Sequence, residues 1–468
     1  MGGMKTRIFL LAFAAGALGA SADVPTSTRA LTEPREYVGA GGKTFRYRWH
    51  QPAKIEPGKK YPFVFLMHGA GERGTNNVSQ LQWGAKEILD YATSSAGNDC
   101  FFLAGQVPNG SQWVNVPWSN LHHRMPEEPS ETMTLQIELA EKLFRELPVD
   151  PDRVYATGVS MGGYGTWDLI CRRPRWFAAA MPVCGGADVD LLWRIRDVAV
   201  WTHHGDRDSV VPFARSRLAT EALWRLGGNV KHTEYPGVGH NSWVPAYGNR
   251  KNLEWLFAQR RRAPARVPFA GGDAIAFLGD SITQFGTEKP DGYVNLVLRG
   301  LAAGGANCTL VPAGVSGETS RQMLARLERD VLAKRPKWMF LSCGVNDAPN
   351  GYEDYRKNPG IPLAEYKKNV EAILDRAHAA GIGAIVLEPT PVVEEPHLAN
   401  VNERPYVEAL RQIARARKLP IVPLNQVFAE RCRSKPNPFV RELTVDGTHM
   451  SPAGNRLMAD VILATLGW

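Results

Sequence analysis

Arg153-Val154-Tyr155-Ala156-Thr157-Gly158-Val159-Ser160-Met161-Gly162-Gly163 is the stretch that decides the fold of the first half of this chain. Its opening is apolar and reads as a buried strand from Arg153 to Ser160, and a helical pattern follows from Gly163 to Cys171. A Gly-x-Ser-x-Gly therefore falls where a strand gives way to a helix. The turn there is tight enough that side chains at the glycine positions would meet neighbouring backbone, and the serine hydroxyl projects beyond the strand end. The five-residue pattern alone is common, so its weight depends on partners elsewhere.

Working outward, further buried strands are expected at Tyr61 to Gly69, Ala178 to Gly186 and Val198 to Gly205, with helices at Thr132 to Leu147 and Ala214 to Leu226. The second half repeats the alternation without repeating the sequence. Strands are expected at Asp273 to Asp280, Thr309 to Gly314, Trp338 to Gly344, Ala384 to Thr390 and Leu419 to Leu424. Helices are expected near Val294 to Leu301, Thr319 to Leu332, Leu363 to Ala380 and Arg404 to Arg417. This is the pattern of parallel sheets covered by helices, an α/β class, in two tandem domains. A chain of 468 residues suits two cores. The basic, proline-containing stretch Arg260 to Gly272 marks the boundary: a first domain over 30–262, a linker over 263–272 and a second domain over 273–468, each half expected to fold alone.

Partners for Ser160 follow in order. Asp208 comes after the Val198 strand and His240 after a further one, the order Ser, Asp, His; Asp208 is preferred to Asp206 because of its place before Val210-Val211-Pro212. His240 takes the serine proton while the aspartate holds the imidazole tautomer. His203, His204 and His232 lie in or beside strands and are read as structural. His68-Gly69-Ala70-Gly71 can supply one oxyanion amide, at Ala70, and Met161 the other. Trp113 and Trp118 are candidates for an aromatic wall against substrate, with core packing as the plain alternative.

HGAGERG (His68 to Gly74), GVSMGG (Gly158 to Gly163), HGDRDSVVP (His204 to Pro212) and GVGHNSW (Gly237 to Trp243) together resemble the α/β-hydrolases related to carbohydrate esterase family 1, over about Glu33 to Gln259. The resemblance implies an α/β-hydrolase fold and feruloyl or acetylxylan esterase chemistry, with polyester depolymerases and prolyl-oligopeptidase-like enzymes nearby.

In the second half Gly279-Asp280-Ser281-Ile282-Thr283 again closes a strand, and Asp446-Gly447-Thr448-His449 precedes a final helix opened by Ser451-Pro452. A three-residue spacing lets one loop present base and carboxylate to Ser281. Gly317 and Asn346 stand just past two other strand ends, where their amide and carboxamide reach an oxyanion. Each piece alone is an ordinary turn sequence; the four in order resemble the SGNH, or GDSL, hydrolases over roughly Asp273 to Trp468. That resemblance implies a flavodoxin-like three-layer fold, Ser281 as nucleophile, His449 as base, Asp446 behind it, and Gly317 and Asn346 as oxyanion donors. The block Pro312-Ala313-Gly314 departs from the family, many members of which carry asparagine where Pro312 stands.

At the N-terminus Lys5 and Arg7 precede an apolar run from Ile8 to Leu18 and the small residues Ala20-Ser21-Ala22. Residues 1–22 read as a signal peptide cleaved after about Ala22, too short to span a bilayer, so the mature protein is expected in the periplasm or outside the cell. Loss of Lys5 and Arg7 takes the net charge from +8 to +6, a mild excess without the interleaved aromatics of a nucleic-acid site. With 44% hydrophobic and 22% charged residues and a mean hydropathy of −0.26, the composition is that of folded, non-membrane protein. Cys100, Cys171, Cys184, Cys308, Cys343 and Cys432 lack metal-ligand spacing; pairing within each half and buried free thiols are both open. No metal or organic cofactor is required by acyl transfer to serine and then to water. The expected function is removal of acetyl or feruloyl groups from a plant cell-wall polysaccharide by two independent sites. A lipid or polyester hydrolase, and one catalytic domain joined to a degenerate carbohydrate-binding one, are the alternatives. The oligomeric state is not legible.

Overall fold

Eight strands in the first half and five in the second form two separate sheets in the computed structural model, which describes residues 24–95, 98–262, 266–349, 359–435 and 437–468. The expected signal peptide and residues 263–265 of the expected linker lie outside the described residues.

The first sheet comprises β1 (Glu33–Val38), β2 (Thr44–His50), β3 (Tyr61–Met67), β4 (Phe101–Gln106), β5 (Val149–Val159), β6 (Ala179–Val183), β7 (Ala199–Gly205) and β8 (Val230–Tyr235), in the order β1-β2-β4-β3-β5-β6-β7-β8. β2 is antiparallel to both neighbours and the rest pair in parallel. β3 is buried along its whole length, as a central strand covered on both faces must be. The sequence reading left out β1, β2 and β4. β1, Glu-Pro-Arg-Glu-Tyr-Val, is exposed at alternate or adjacent positions on an edge and carries little apolar signal.

The second sheet comprises β9 (Ala274–Gly279), β10 (Thr309–Gly314), β11 (Trp338–Ser342), β12 (Gly383–Leu387) and β13 (Ile421–Val422), all parallel, in the order β10-β9-β11-β12-β13. The strand order reverses between β9 and β11, the place where open α/β sheets leave a crevice at their carboxyl ends. Pro312 sits in edge strand β10, where a missing N–H costs no ladder bond. The strand expected over Leu419 to Leu424 contracts to two residues because Pro420 and Pro423, which lack a donor, bracket it. The helix expected from Arg404 begins six residues earlier, at Leu398, and Pro405 lies inside it.

Val267 and Phe269, in the expected linker, are buried and belong structurally to the second unit. Val267 N donates to Leu466 O (3.0 Å), and the Phe269 ring stacks on Phe340. The two units also meet directly. Leu192 and Ile195 of the first and Val427, Phe428 and Ile462 of the second share one apolar cluster. Arg225 forks onto Glu430 with two bonds of 2.7 Å, Arg431 pairs with Asp190, and Arg124 reaches Glu442 at 3.1 Å. All six cysteines are unpaired, four of them buried.

Candidate active sites

Ser160 follows β5 with φ 55° and ψ −117°, a conformation L-residues avoid and one that costs on the order of 1–3 kcal/mol. Its surroundings hold it there. A Cβ at Gly158 would come 2.5 Å from Gly162 O, one at Gly162 would come 1.9 Å from Met67 O, and one at Gly163 would come 2.4 Å from Val183 O. The helix Met161–Arg172 is thus pressed against β3 and β6, and only glycine fits at the contacts. His240 Nε2 stands 2.9 Å from Ser160 Oγ, and His240 Nδ1 stands 2.7 Å from Asp208 Oδ2.

The Asp208 side chain is inaccessible to solvent. Its Oδ1 accepts the amides of Val210 (2.8 Å) and Val211 (2.9 Å). Its Oδ2 is shared with His204 Nε2 at 3.0 Å, and His204 Nδ1 meets Ser216 Oγ at 2.6 Å. Burial alone would push the carboxyl up; the hydrogen bonds from His204 and His240 outweigh it and hold the acid well below its ordinary range. Asp206 instead accepts Gly237 N at 2.7 Å and fixes the turn ahead of His240. His203 bonds Tyr235 OH (3.0 Å) and His232 bonds Thr202, rather than the serine. His204, read from sequence as structural, touches the triad acid itself; its i, i+4 relation to Asp208 was the available signal.

Ala70 opens a short turn directly after β3, and Met161 is the first residue of its helix, so the Met161 amide has no intrahelical acceptor. The loop before Ala70 is pinned at His68. Nδ1–H donates to Gly69 O (2.6 Å), Nε2 accepts Val107 N (2.9 Å), and burial lowers the imidazole to about 4, so it is neutral. Trp113 Nε1 donates to His68 O at 3.1 Å. The substrate-wall expectation for Trp113 is thereby corrected: its side chain is 0% exposed and braces the loop from within the core. Trp118 is half-buried against the same core, its carbonyl accepting Tyr164 OH (3.0 Å). Trp243 stands edge-on to His240 at 5.3 Å, and Trp83 packs behind it, 5.4 Å from Trp243. Trp83 Nε1 donates to the buried Glu72, whose acid burial raises.

In the second unit Ser281 is the first residue of the helix Ser281–Glu288 and adopts no strained turn, because Asp280 caps the helix by accepting Ile282 N (3.0 Å). Burial, with Asp347 nearby, raises the Asp280 acid to about 6. His449 Nε2 lies 2.9 Å from Ser281 Oγ and His449 Nδ1 lies 2.6 Å from Asp446 Oδ2; Asp446 Oδ1 accepts the amides of Thr448 (2.9 Å) and His449 (2.8 Å). The Asp446 side chain is 52% exposed. The little burial it has raises its acid, but the bonds from the His449 ring and from the His449 and Thr448 amides prevail and draw it down to about 2.

Gly317 lies in the turn after β10 at φ 76°, with open space around its α-carbon. Asn346 follows β11 and commits one amide proton to Glu318 O (3.1 Å), leaving the other. Asp347 Oδ1 accepts Ser320 N at 2.9 Å, so two bonds fix the Asn346 turn to the Gly317 turn.

Residues 52–249 match the Phospholipase/Carboxylesterase family and residues 277–457 the GDSL-like Lipase/Acylhydrolase family. The N-terminal region is an α/β-hydrolase and the C-terminal region a GDSL-like hydrolase. The chain is accordingly a carboxylic-ester hydrolase. Its relatives include an acetylxylan esterase of Geobacillus stearothermophilus, 27% identical over 218 residues, covering 43% of this chain and 97% of the relative. Another is the "Probable feruloyl esterase C" of Aspergillus niger, 28% identical over 211 residues, covering 44% of this chain and 71% of the relative. The crystal structure of a thermostable esterase is 36% identical with a TM-score of 0.46 and covers 50% of this chain; the chain spans 64% of that protein's length. In both the α/β-hydrolase unit and the GDSL-like unit, a serine hydroxyl, an imidazole and a carboxylate stand in one hydrogen-bonded line.

Proposed function

We propose that the chain is an exported bifunctional carbohydrate esterase that removes acyl groups, acetyl and feruloyl, from a plant cell-wall polysaccharide such as xylan through two independent sites. The observation that carries this reading is the pair of complete Ser–His–Asp lines, each with 2.9 Å between imidazole and hydroxyl. In each, the serine Oγ attacks the acyl carbon as its proton passes to the histidine Nε2. Ala70 and Met161 amides in one unit, and the Gly317 amide with the Asn346 carboxamide in the other, take the oxyanion. The imidazolium then gives the proton to the departing sugar oxygen, which leaves as a hydroxyl, and water repeats the cycle against the acyl-serine. The acetylxylan and feruloyl esterase names of the relatives support the choice of acyl groups. Two tethered sites raise the local concentration of each on a multiply acylated polymer. Export rests on residues 1–22, and among the described residues no helix is long and apolar enough to cross a membrane.

The test is release of acid from acetylated xylan, acetylated pectin and methyl ferulate by Ser160→Ala and Ser281→Ala. Each change is expected to abolish a different activity, by at least ~10³-fold. A single change that removed hydrolysis of every acyl substrate would overturn the two-site reading.

A further inference from the structure

The dyad of the GDSL-like unit sits at the tip of a closed loop. Thr444 and Met450 form an antiparallel bridge, and Val445 N donates to His449 O at 2.8 Å, so Asp446 and His449 stand on five residues between them. Gly447 takes φ 104° at the turn. At its tip the Asp446 side chain is about half exposed. Its aim at Ser281 depends on what holds the loop, which is Phe285 against the His449 ring at 5.1 Å and the contacts at the loop's base.

The base is gathered on one carboxylate. Glu394, in the segment after β12, is 4% exposed. Its Oε1 accepts Glu442 N (2.7 Å) and Leu443 N (2.9 Å); its Oε2 accepts Thr444 N (2.7 Å) and Thr444 Oγ1 (2.5 Å). Lys435, also buried, pairs with Oε1 and neutralises the charge. Three consecutive backbone amides pointing at one place need an anion with lone pairs in several directions, which a carboxylate supplies and a neutral or apolar side chain does not. The same segment also holds the tip: Glu394 N donates to Gly447 O (2.8 Å) and Thr448 Oγ1 donates to Val392 O (2.7 Å). The chain on both sides of Asp446 is thus fixed to residues 392–394.

We propose that Glu394 is a positioning residue of the second site: its carboxylate sets the chain just ahead of Asp446 and His449 so that the imidazole meets Ser281. Glu394 touches neither substrate nor serine. Its effect belongs to the chemical step, where about 1 Å of misplacement costs on the order of 10²-fold. The inference rests on Ser281 being the nucleophile of a second activity.

The experiment uses the full chain, in which Ser160 is an internal control for folding. Turnover of the Ser281-dependent ester is measured for Glu394→Ala and Glu394→Gln, together with the rate at which a small fluorophosphonate labels Ser281 and Ser160 in the same molecules. Glu394→Ala is expected to lower kcat and Ser281 labelling about 100-fold, with KM within about twofold and Ser160 labelling unchanged. Glu394→Gln, which keeps one acceptor oxygen but turns an NH2 toward the converging amides, is expected to lose about tenfold. A Glu394→Ala enzyme with Ser281 turnover within threefold of the parent, or a change confined to KM, overturns the proposal. If Glu394→Ala loses both sites together through misfolding, Glu394→Gln decides, and parental Ser281 labelling in that variant overturns the proposal. Should Ser281→Ala leave every activity intact, it is the two-site reading that fails.

Discussion

In the α/β-hydrolase unit the triad acid is sealed from solvent and carries a second histidine; in the GDSL-like unit the acid is half in water and carries none. The reacting atoms are set equally far apart in both. What differs is the source of rigidity. Asp208 is fixed by contacts to the carboxylate itself, from Val210, Val211, His204 and His240. Asp446 likewise accepts two nearby amides and its imidazole, but in place of a second histidine it has a loop whose base is bonded to Glu394. The nucleophiles follow the same division: Ser160 sits in a strained turn enforced by glycine contacts, whereas Ser281 sits unstrained behind a capping aspartate. One site stores its geometry in sterics and burial, the other in hydrogen bonds near the surface.

The sharpest way to break this comparison is to neutralise each acid. Asp208→Asn leaves a buried amide against His240 and His204 and favours the wrong imidazole tautomer, so the Ser160-dependent kcat is expected to fall ~10³- to 10⁴-fold. Asp446→Asn, beside water that can accept the imidazole proton, is expected to cost ~10- to 10²-fold at Ser281. Equal losses in the two kcat values would show that burial of the acid makes no difference. A smaller effect isolates the second histidine: His204→Leu removes one donor to Asp208 and is expected to lower the Ser160-dependent kcat about tenfold with the Ser281 activity unchanged.

The smallest effects are on stability against pH. Asp446 is drawn below its unfolded value near 3.9, so its contribution is present above pH 4 and lost as pH falls towards about 2. Asp280 behaves oppositely. Its folded value of about 6 lies above the unfolded one, so stability is complete below pH 4 and declines as pH rises through 6, by on the order of 3 kcal/mol. Asn also caps helices, so Asp280→Asn is expected to raise Tm at pH 8 and to leave it nearly unchanged at pH 4. A Tm increase of the same size at both pH values would remove burial of the charge as the cause.

Sequence carried the nucleophile turns and the strand ends well, because a Gly-x-Ser-x-Gly or Gly-Asp-Ser placed after an apolar run has few other structural uses. It carried the aromatic surroundings badly. Trp113, a candidate for the substrate wall, lies enclosed in the core, because a tryptophan's burial depends on what packs on it. The indole beside His240 is Trp243, backed by Trp83 from 160 positions away. The two halves also read as independent, while the structure joins them through Leu192, Ile195, Phe428 and Ile462 and through the Arg225–Glu430 fork. A shared cluster of this kind leaves no mark in either half's own pattern.

Local chemistry determined the rest of what could be read: strand-to-helix turns require glycine where backbones nearly touch, and an Asp-x-x-His spacing lets one loop present acid and base together. Only the tertiary structure decided which distant groups meet, such as Trp83 with Trp243 and Glu394 with the base of the Asp446 loop. Hydrogen bonds across 48 to 50 positions, such as those from residues 442 to 444 onto Glu394, are set by how β12 and the final loop come together. No periodicity along the chain encodes that meeting.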